Sequence, residues 1–281
     1  MPHASRAHVE SLLRARRLDR TLSTAWPCVP PRGVASTGED ALDGALGGGF
    51  ARGEVSEIVG PRSSGRTGLA CAAMARATAR GELVALVDTT DTFDPRAAAG
   101  AGVDLSRVLW VRGTAVDERR TGLRARASVR SLTWSPATRA GQRDLDASGD
   151  VAARALDRAI KALHVIVQAG GFGLIILDLI DVRAADLRRL PFTTWRRLHR
   201  SFEGRETAGI VVTAMAVGRS AGGASLVLER TPRGVRWSGQ APRARLFGGF
   251  TSAVRIERAR GPGEGAGVRV ALAQEALLRV F

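Results

Sequence analysis

Between residues 55 and 213 the chain alternates short apolar runs with longer stretches whose apolar positions recur at helical spacing. The runs are Val55–Val59, Leu83–Val87, Val108–Val111, Leu174–Leu177 and Ile210–Thr213. The stretches between them are Thr67–Arg80, Asp94–Gly102, Asp150–Ala169 and Ala184–Phe202. Unbroken apolar runs of this length mark strands buried on both faces, and strands that alternate with helices are joined by crossovers into a parallel sheet. Beyond residue 224 the pattern becomes short alternating runs, Ser225–Glu229, Gly234–Trp237, Thr251–Glu257 and Val268–Leu272, joined by glycine-rich turns. These predict an antiparallel extension of the same sheet, so the fold class is α/β, a mainly parallel sheet flanked by helices with hairpins at its C-terminal edge.

Two segments fall outside this alternation. From Val9 to Leu22, Val9, Leu12, Leu13, Leu18 and Leu22 lie at near-helical spacing among arginines, and Pro27-Cys28-Val29-Pro30-Pro31 bars continuation of that helix. Residues 1–33 are therefore expected to be a basic N-terminal arm and linker, with 34–281 as the core. Residues 114–149 carry Arg119, Arg120, Arg124, Arg126, Arg130, Arg139 and Arg143 among scattered acids, serines and glycines. They are expected to form an inserted, mobile surface segment.

Charge narrows the partners. The 281 residues include 42 Lys+Arg against 27 Asp+Glu, a formal net charge of +15, which favours polyanions such as nucleic acid. Lys161 is the single lysine, so an arginine at a position that usually holds lysine partly reflects a composition biased toward Arg, Gly and Ala. Cys28 and Cys71 are too few for a disulfide framework or a zinc cluster, and a reducing cytoplasmic location is expected. The most apolar stretch, Val165 to Ile180, is interrupted by Gln168, three glycines and Asp178, so no membrane helix is expected, nor a secretory signal at the arginine-rich N-terminus. His3, His8, His164 and His199 show no metal-ligand spacing.

The sharpest local signal is Gly60-Pro61-Arg62-Ser63-Ser64-Gly65-Arg66-Thr67, which follows an apolar run and opens a helical stretch. It matches G-x-x-x-x-G-K-[ST] with arginine in place of lysine, in the strand-to-helix context that motif requires. Gly60, Ser63, Ser64, Gly65, Arg66 and Thr67 are the candidate nucleotide-binding residues: glycine permits a nest of inward N–H groups, and the helix adds its positive end. Arg66 would meet phosphate through a planar fork rather than a compact point charge. Leu174-Ile175-Ile176-Leu177-Asp178 has the form of a strand ending in a metal-directed carboxylate, so Thr67 and Asp178 are the candidate Mg²⁺ ligands. ATP and Mg²⁺ are thus candidate cofactors, and the alternative is a loop kept as a tight structural turn.

With these residues in place the chain resembles the RecA family. Ser36-Thr37-Gly38, Leu42-Asp43, Ala45-Leu46-Gly47-Gly48-Gly49, Gly53-Glu54-Val55-Ser56-Glu57-Ile58 and the loop at Gly60 follow that family's order. Val87-Asp88, Asp94-Pro95 and Gly102-Val103-Asp104-Leu105 continue it. The resemblance implies a RecA-like core and a catalytic glutamate two residues after the strand-end aspartate. Here Thr90 stands at that place, and threonine is no general base. Asp91 is the weak substitute, more simply a solvated turn acid. The lysine pair of RecA filaments corresponds roughly to Leu272-Ala273-Gln274, and the phosphate-sensing polar pair to Thr213-Ala214. ATP hydrolysis is accordingly expected to be weak or absent.

A RecA-like core with these losses and a basic arm is similar to the ImuA group, RecA-related accessory proteins of a bacterial mutagenesis cassette. That resemblance implies a part in SOS mutagenesis and translesion synthesis. The implied partners are an ImuB-like adaptor polymerase homologue, RecA and an error-prone polymerase complex, with DNA as a further ligand. The loops that face DNA in recombinases correspond to regions holding Arg183, Arg188, Arg189, Arg219, Arg230, Arg233, Arg243 and Arg245, the candidate DNA-binding residues, with Trp237 or Phe247 for stacking. The plainer alternative is a solvated arginine-rich face with Trp237 packed on its hairpin. Trp195, on a helical face with Leu187, Leu190, Leu198 and Phe202, is expected in the core. An active divergent RecA/KaiC-type DNA-dependent ATPase is the alternative function.

Overall fold

A computed structural model describes residues 33–113, 139–217, 222–230, 235–238, 246–259 and 265–272. All of them lie in one compact unit, Gly33–Phe281. The elements are β1 (Val34–Ala35), α1 (Asp40–Leu46), β2 (Phe50–Ala51), β3 (Val55–Val59), α2 (Arg66–Ala79), β4 (Leu83–Asp88), α3 (Pro95–Gly100) and β5 (Val108–Arg112). They continue with α4 (Arg139–Ala169), β6 (Phe172–Leu179), α5 (Ala184–Arg189), α6 (Phe192–Phe202), β7 (Ala208–Thr213), β8 (Ser225–Glu229), β9 (Val235–Ser238), β10 (Leu246–Arg258) and β11 (Gly267–Leu272).

The main sheet has the strand order β11-β10-β8-β3-β7-β6-β4-β5, with β9 pairing on β10. Strands β5, β4, β6, β7, β3 and β8 run parallel, in registers such as Asp88↔Asp178 and Val59↔Thr213. Strand β10 pairs antiparallel with β8, β9 and β11. The expected α/β class and C-terminal hairpins are present. One detail differs: β8 joins β3 in parallel, so the change of direction comes one strand later than the change of period suggests. The sequence after residue 224 alternates because β8, β9, β10 and β11 lie toward the sheet's margin, and that signal carries no information on direction.

The two-residue period of the central strands divides their side chains between two cores. Leu174 and Ile176 join Ile58, Leu86, Ile210 and Val212 beneath α1, α2 and α3. Ile175 and Leu177 join Val87, Val211 and the inner faces of α4, α5 and α6. Each fully buried Leu or Ile contributes about 1.5–3 kcal/mol, which is why both faces must be covered by helices. Trp195 is buried with Leu198 and Phe202, as its helical spacing predicts.

Two boundaries move. Helix α4 begins at Arg139, so part of the segment expected to be an insertion belongs to a helix, while 114–138 lie outside the described residues. The single helical stretch expected over 184–202 is two helices, α5 and α6. Pro191 forbids the residue before it the helical conformation, and Leu190 is extended with ψ 127°. Among the described residues no helix is long and apolar enough to cross a membrane. Cys71 is buried and free, and its burial pushes the thiol up to about 11, which makes it inert. Cys28 lies outside the described residues, as does the whole arm.

Candidate functional site

The loop between β3 and α2 is held open from outside. Gly60 N–H donates to the Thr213 carbonyl at 3.2 Å, fixing the loop's start to β7. The hydroxyl of Ser252, on β10, donates to the Ser64 carbonyl at 2.6 Å, and Arg230 Nε donates to the Arg62 carbonyl at 2.6 Å. The C=O and N–H of one trans peptide point opposite ways. The Ser63 and Gly65 N–H groups, on the far side of the same two peptides, therefore point away from Arg230 and Ser252. Ser63 at φ 59° and Gly65 at φ 94° supply the left-handed turns that a nest requires. Gly60 leaves no room for a side chain, since a Cβ there would lie 2.5 Å from Ser64 Oγ and 2.6 Å from the Leu228 carbonyl oxygen.

Gly65 caps α2 without any side-chain hydrogen bond, so the first-turn N–H groups and the positive end of the helix face the loop unmasked. Arg66 is the first residue of that helix and is only 3% exposed. Its Nη1 is buried without a hydrogen-bond partner, and so is the Ser64 hydroxyl. Burial lowers the guanidinium's pKa, while Asp178 and Asp181 oppose that shift. Thr67 is exposed on the same first turn.

Asp178, near the end of β6, accepts a hydrogen bond from Ile180 N–H at 2.9 Å. Burial pushes its carboxyl up to about 7, with the charges of Asp88 and Asp181 adding to the shift and Ile180 and Arg66 opposing it. Asp181 pairs with Arg62 at 3.5 Å rather than with Arg66. Among the described residues no group of three or more His, Cys, Asp or Glu side chains is arranged to hold a metal ion.

At the carboxyl end of β4 the side chains form an interlocked cluster. Buried Asp88 accepts from Thr92 N–H at 3.1 Å, Phe93 N–H at 2.9 Å and Trp110 Nε1 at 3.2 Å, which uses both its oxygens. Arg112 lies 4.5 Å above the Trp110 ring, and Phe93 meets that ring edge-on at 5.3 Å. Arg112 then grips both oxygens of Asp91, at 2.7 and 2.9 Å. Asp91 is thus not the solvated turn acid that the sequence suggests: its side chain is 1% exposed and both oxygens are committed to a guanidinium. Both oxygens of this carboxylate are thus engaged by Arg112 rather than directed at the loop. Thr90 is within 3.4 Å of the Thr92 hydroxyl, and Thr213 donates its hydroxyl to the Met215 carbonyl.

The basic candidates divide. Arg183 grips Asp186 through Nε at 2.8 Å and Nη2 at 3.2 Å, and Arg189 lies 3.9 Å from the same carboxylate. Arg188 is exposed on α5 beside them, whereas Arg230 braces the phosphate loop. Arg219, Arg233, Arg243 and Arg245 lie outside the described residues. Trp237 is 57% exposed on β9, so the expected packing against the hairpin does not hide it. Arg230 is read from the sequence as a DNA contact and not as a brace of the loop, and Ser252 and Arg112 were not legible as site residues at all. Their signal is a partnership across many intervening residues, and only the strand register Asp88↔Arg112 brings the last of them to Asp91.

Residues 31–120 match the RecA N-terminal domain family. Protein RecA of Chlorobaculum parvum is 47% identical over 103 residues, which cover 36% of this chain and 28% of that protein. Protein RecA of Synechococcus sp. is 49% identical over 74 residues, 26% of this chain and 20% of that protein. The chain thus spans under a third of the length of these relatives. The crystal structure of the RadB recombinase superposes on 86% of this chain and 98% of its own with a TM-score of 0.53 at 20% identity. The fold is RecA-like, and the sequence likeness is concentrated in the segment that builds the phosphate loop.

Proposed function

We propose that this chain is a RecA-fold accessory protein of DNA-damage-induced (SOS) mutagenesis and translesion synthesis. In this reading it joins DNA or RecA to a mutagenic polymerase complex through an ImuB-like adaptor and binds nucleotide with little or no turnover. The observation that carries the reading is an intact cradle beside a disabled hydrolytic edge. Ser63 and Gly65 keep the left-handed turns of a nest, while Thr90 stands where the RecA resemblance implies a glutamate and Asp91 is locked by Arg112. The net charge of +15 supports a nucleic-acid ligand.

The cradle fits a phosphate chain, because Gly60 admits no Cβ and Arg66 Nη1 has no other partner. The loop N–H groups, the α2 terminus and Arg66 would hold the phosphates of ATP. Thr67 and Asp178 would hold Mg²⁺, which when bound would neutralise phosphate charge. Ser252 and Arg230 fix the loop through its Ser64 and Arg62 carbonyls, and Arg112 holds both oxygens of Asp91.

The test is anisotropy of labelled single-stranded DNA with the full chain at low and raised salt, together with capture of RecA and of polymerase components. Salt-sensitive DNA binding and retention of at least one of these partners are expected. An absence of DNA binding at low salt would favour a pure protein-interaction platform instead. The orphaned Arg66 in an intact cradle is the one feature that favours the second reading, a divergent DNA-dependent ATPase in which a partner completes the site.

A further inference from the structure

The tip of the phosphate loop carries a second arginine. Arg62 stands two residues after Gly60, and its side chain is 79% exposed. Its carbonyl is held by Arg230 Nε at 2.6 Å, so the backbone here is braced and any movement of this residue falls on its side chain. The guanidinium meets Asp181 at a single point, Nη2 to Oδ1 at 3.5 Å, a contact of charge rather than a short hydrogen bond.

Asp181 belongs to the charge cluster of the cradle. It follows β6 three residues after Asp178, and its charge acts on both the Arg66 guanidinium and the Asp178 carboxyl. The Arg62 charge acts on Arg66 in turn. Charges in water are screened beyond about 8–10 Å, so these four groups share one small region beside the loop. In the free chain Asp181 answers two guanidiniums with a single charge.

An exposed one-point ion pair is weak and readily exchanged. A guanidinium fork on phosphate oxygens makes charge-assisted hydrogen bonds, which are roughly twice as strong as neutral ones. A phosphate chain on the loop N–H groups, the α2 terminus and Arg66 would bring its negative charge into the same region. A longer chain needs one more donor, and Arg62 is exposed, loosely held and close enough to Asp181 to be released by it.

We propose that Arg62 is the residue by which the cradle tells a nucleoside triphosphate from a diphosphate, its guanidinium passing from Asp181 to the terminal phosphate when the longer chain binds. This deepens the nucleotide part of the proposed function and rests on it. Binding of ADP and of the β,γ-imido analogue of ATP, which resists hydrolysis, is to be measured by calorimetry with the full chain in excess MgCl₂. The native chain is expected to prefer the triphosphate by about tenfold or more. Arg62→Gln is expected to lose that preference while its ADP affinity stays within about threefold of native. Arg62→Lys keeps the charge without the fork and is expected to keep part of the preference.

Asp181→Asn removes the competing carboxylate. It is expected to raise triphosphate affinity by about threefold or more, and only when Arg62 is present. Melting temperatures of all these variants are expected to match the native one, because the pair is exposed. An undiminished preference in Arg62→Gln would overturn the inference. So would an equal gain from Asp181→Asn with and without Arg62, the signature of a general field. Equal native affinity for the two nucleotides would overturn it and leave the cradle standing, whereas binding of neither would overturn the nucleotide reading as well.

Discussion

Arg112 and Asp91 meet at the carboxyl edge of the sheet in a two-point ion pair, Nε to Oδ1 at 2.7 Å and Nη2 to Oδ2 at 2.9 Å, with the guanidinium lying over Trp110. The pair closes the β4 edge where a general base would have to stand free. Arg112→Ala is therefore expected to lower the melting temperature and to leave ATP turnover at background. Thermal denaturation and a phosphate-release assay check the two halves. A gain of turnover on freeing Asp91 would show a latent base held in reserve.

Gly60 is the tightest point of the loop. A methyl group there must displace the Ser64 hydroxyl and the Leu228 backbone, 2.5 and 2.6 Å from the Cβ position. Gly60→Ala is expected to cost about 1–3 kcal/mol, the usual range for overpacking, and to abolish nucleotide binding. Urea denaturation and a nucleotide titration measure these separately.

Asp178 carries a pH signature. Its carboxyl is raised from the ordinary 3.8 to about 7, so the folded state holds a proton that the unfolded state releases. The resulting destabilisation is absent below the unfolded value, grows as pH rises, and is complete above the folded value. Asp178→Asn preserves an acceptor for Ile180 N–H and removes the charge. It is expected to change stability little near pH ~4 and to raise it by a few kcal/mol near pH ~8. Denaturation of both proteins across that range gives the curve, and a gain independent of pH would refute its ionic origin.

Trp195 tests the second core. It is buried with Leu198 and Phe202 between α6 and the sheet, away from any phosphate-loop residue. Trp195→Ala is expected to cost about 3–5 kcal/mol. At temperatures where the variant stays folded, nucleotide affinity is expected to be unchanged.

The exposed arginines of α5 test the nucleic-acid reading. Replacing Arg188 and Arg189 by alanine is expected to weaken single-stranded DNA binding and to reduce the salt slope by about 0.7 for each phosphate no longer neutralised. Titration at several salt concentrations reads this. An unchanged slope would move DNA binding to another surface.

How much of this was legible in the sequence depends on the reach of each signal. The buried strands and the loop at Gly60 declare themselves locally, because a run such as Leu174–Leu177 and a turn such as Gly60–Thr67 need only their own residues. Trp195 was readable from helical spacing for the same reason. The start of α4 was hidden because charged and glycine-containing residues up to Gly149 resemble a loop until a long amphipathic helix is continued backward into them. The break at Leu190-Pro191 was readable in principle from the proline. The Arg112–Asp91 pair was not, because it exists only after β4 and β5 align in parallel. The same is true of Ser252, which reaches the Ser64 carbonyl across 188 positions of chain.

The fate of bound ATP separates a nucleotide-binding scaffold from an ATPase. Purified full-length protein is to be incubated with radiolabelled ATP, with and without single-stranded DNA and candidate partners, and the bound and free nucleotide resolved over many binding lifetimes. The expected result is bound ATP recovered unhydrolysed at the same level in every mixture. DNA-stimulated release of phosphate, abolished by Arg66→Ala or Asp178→Ala, would contradict it.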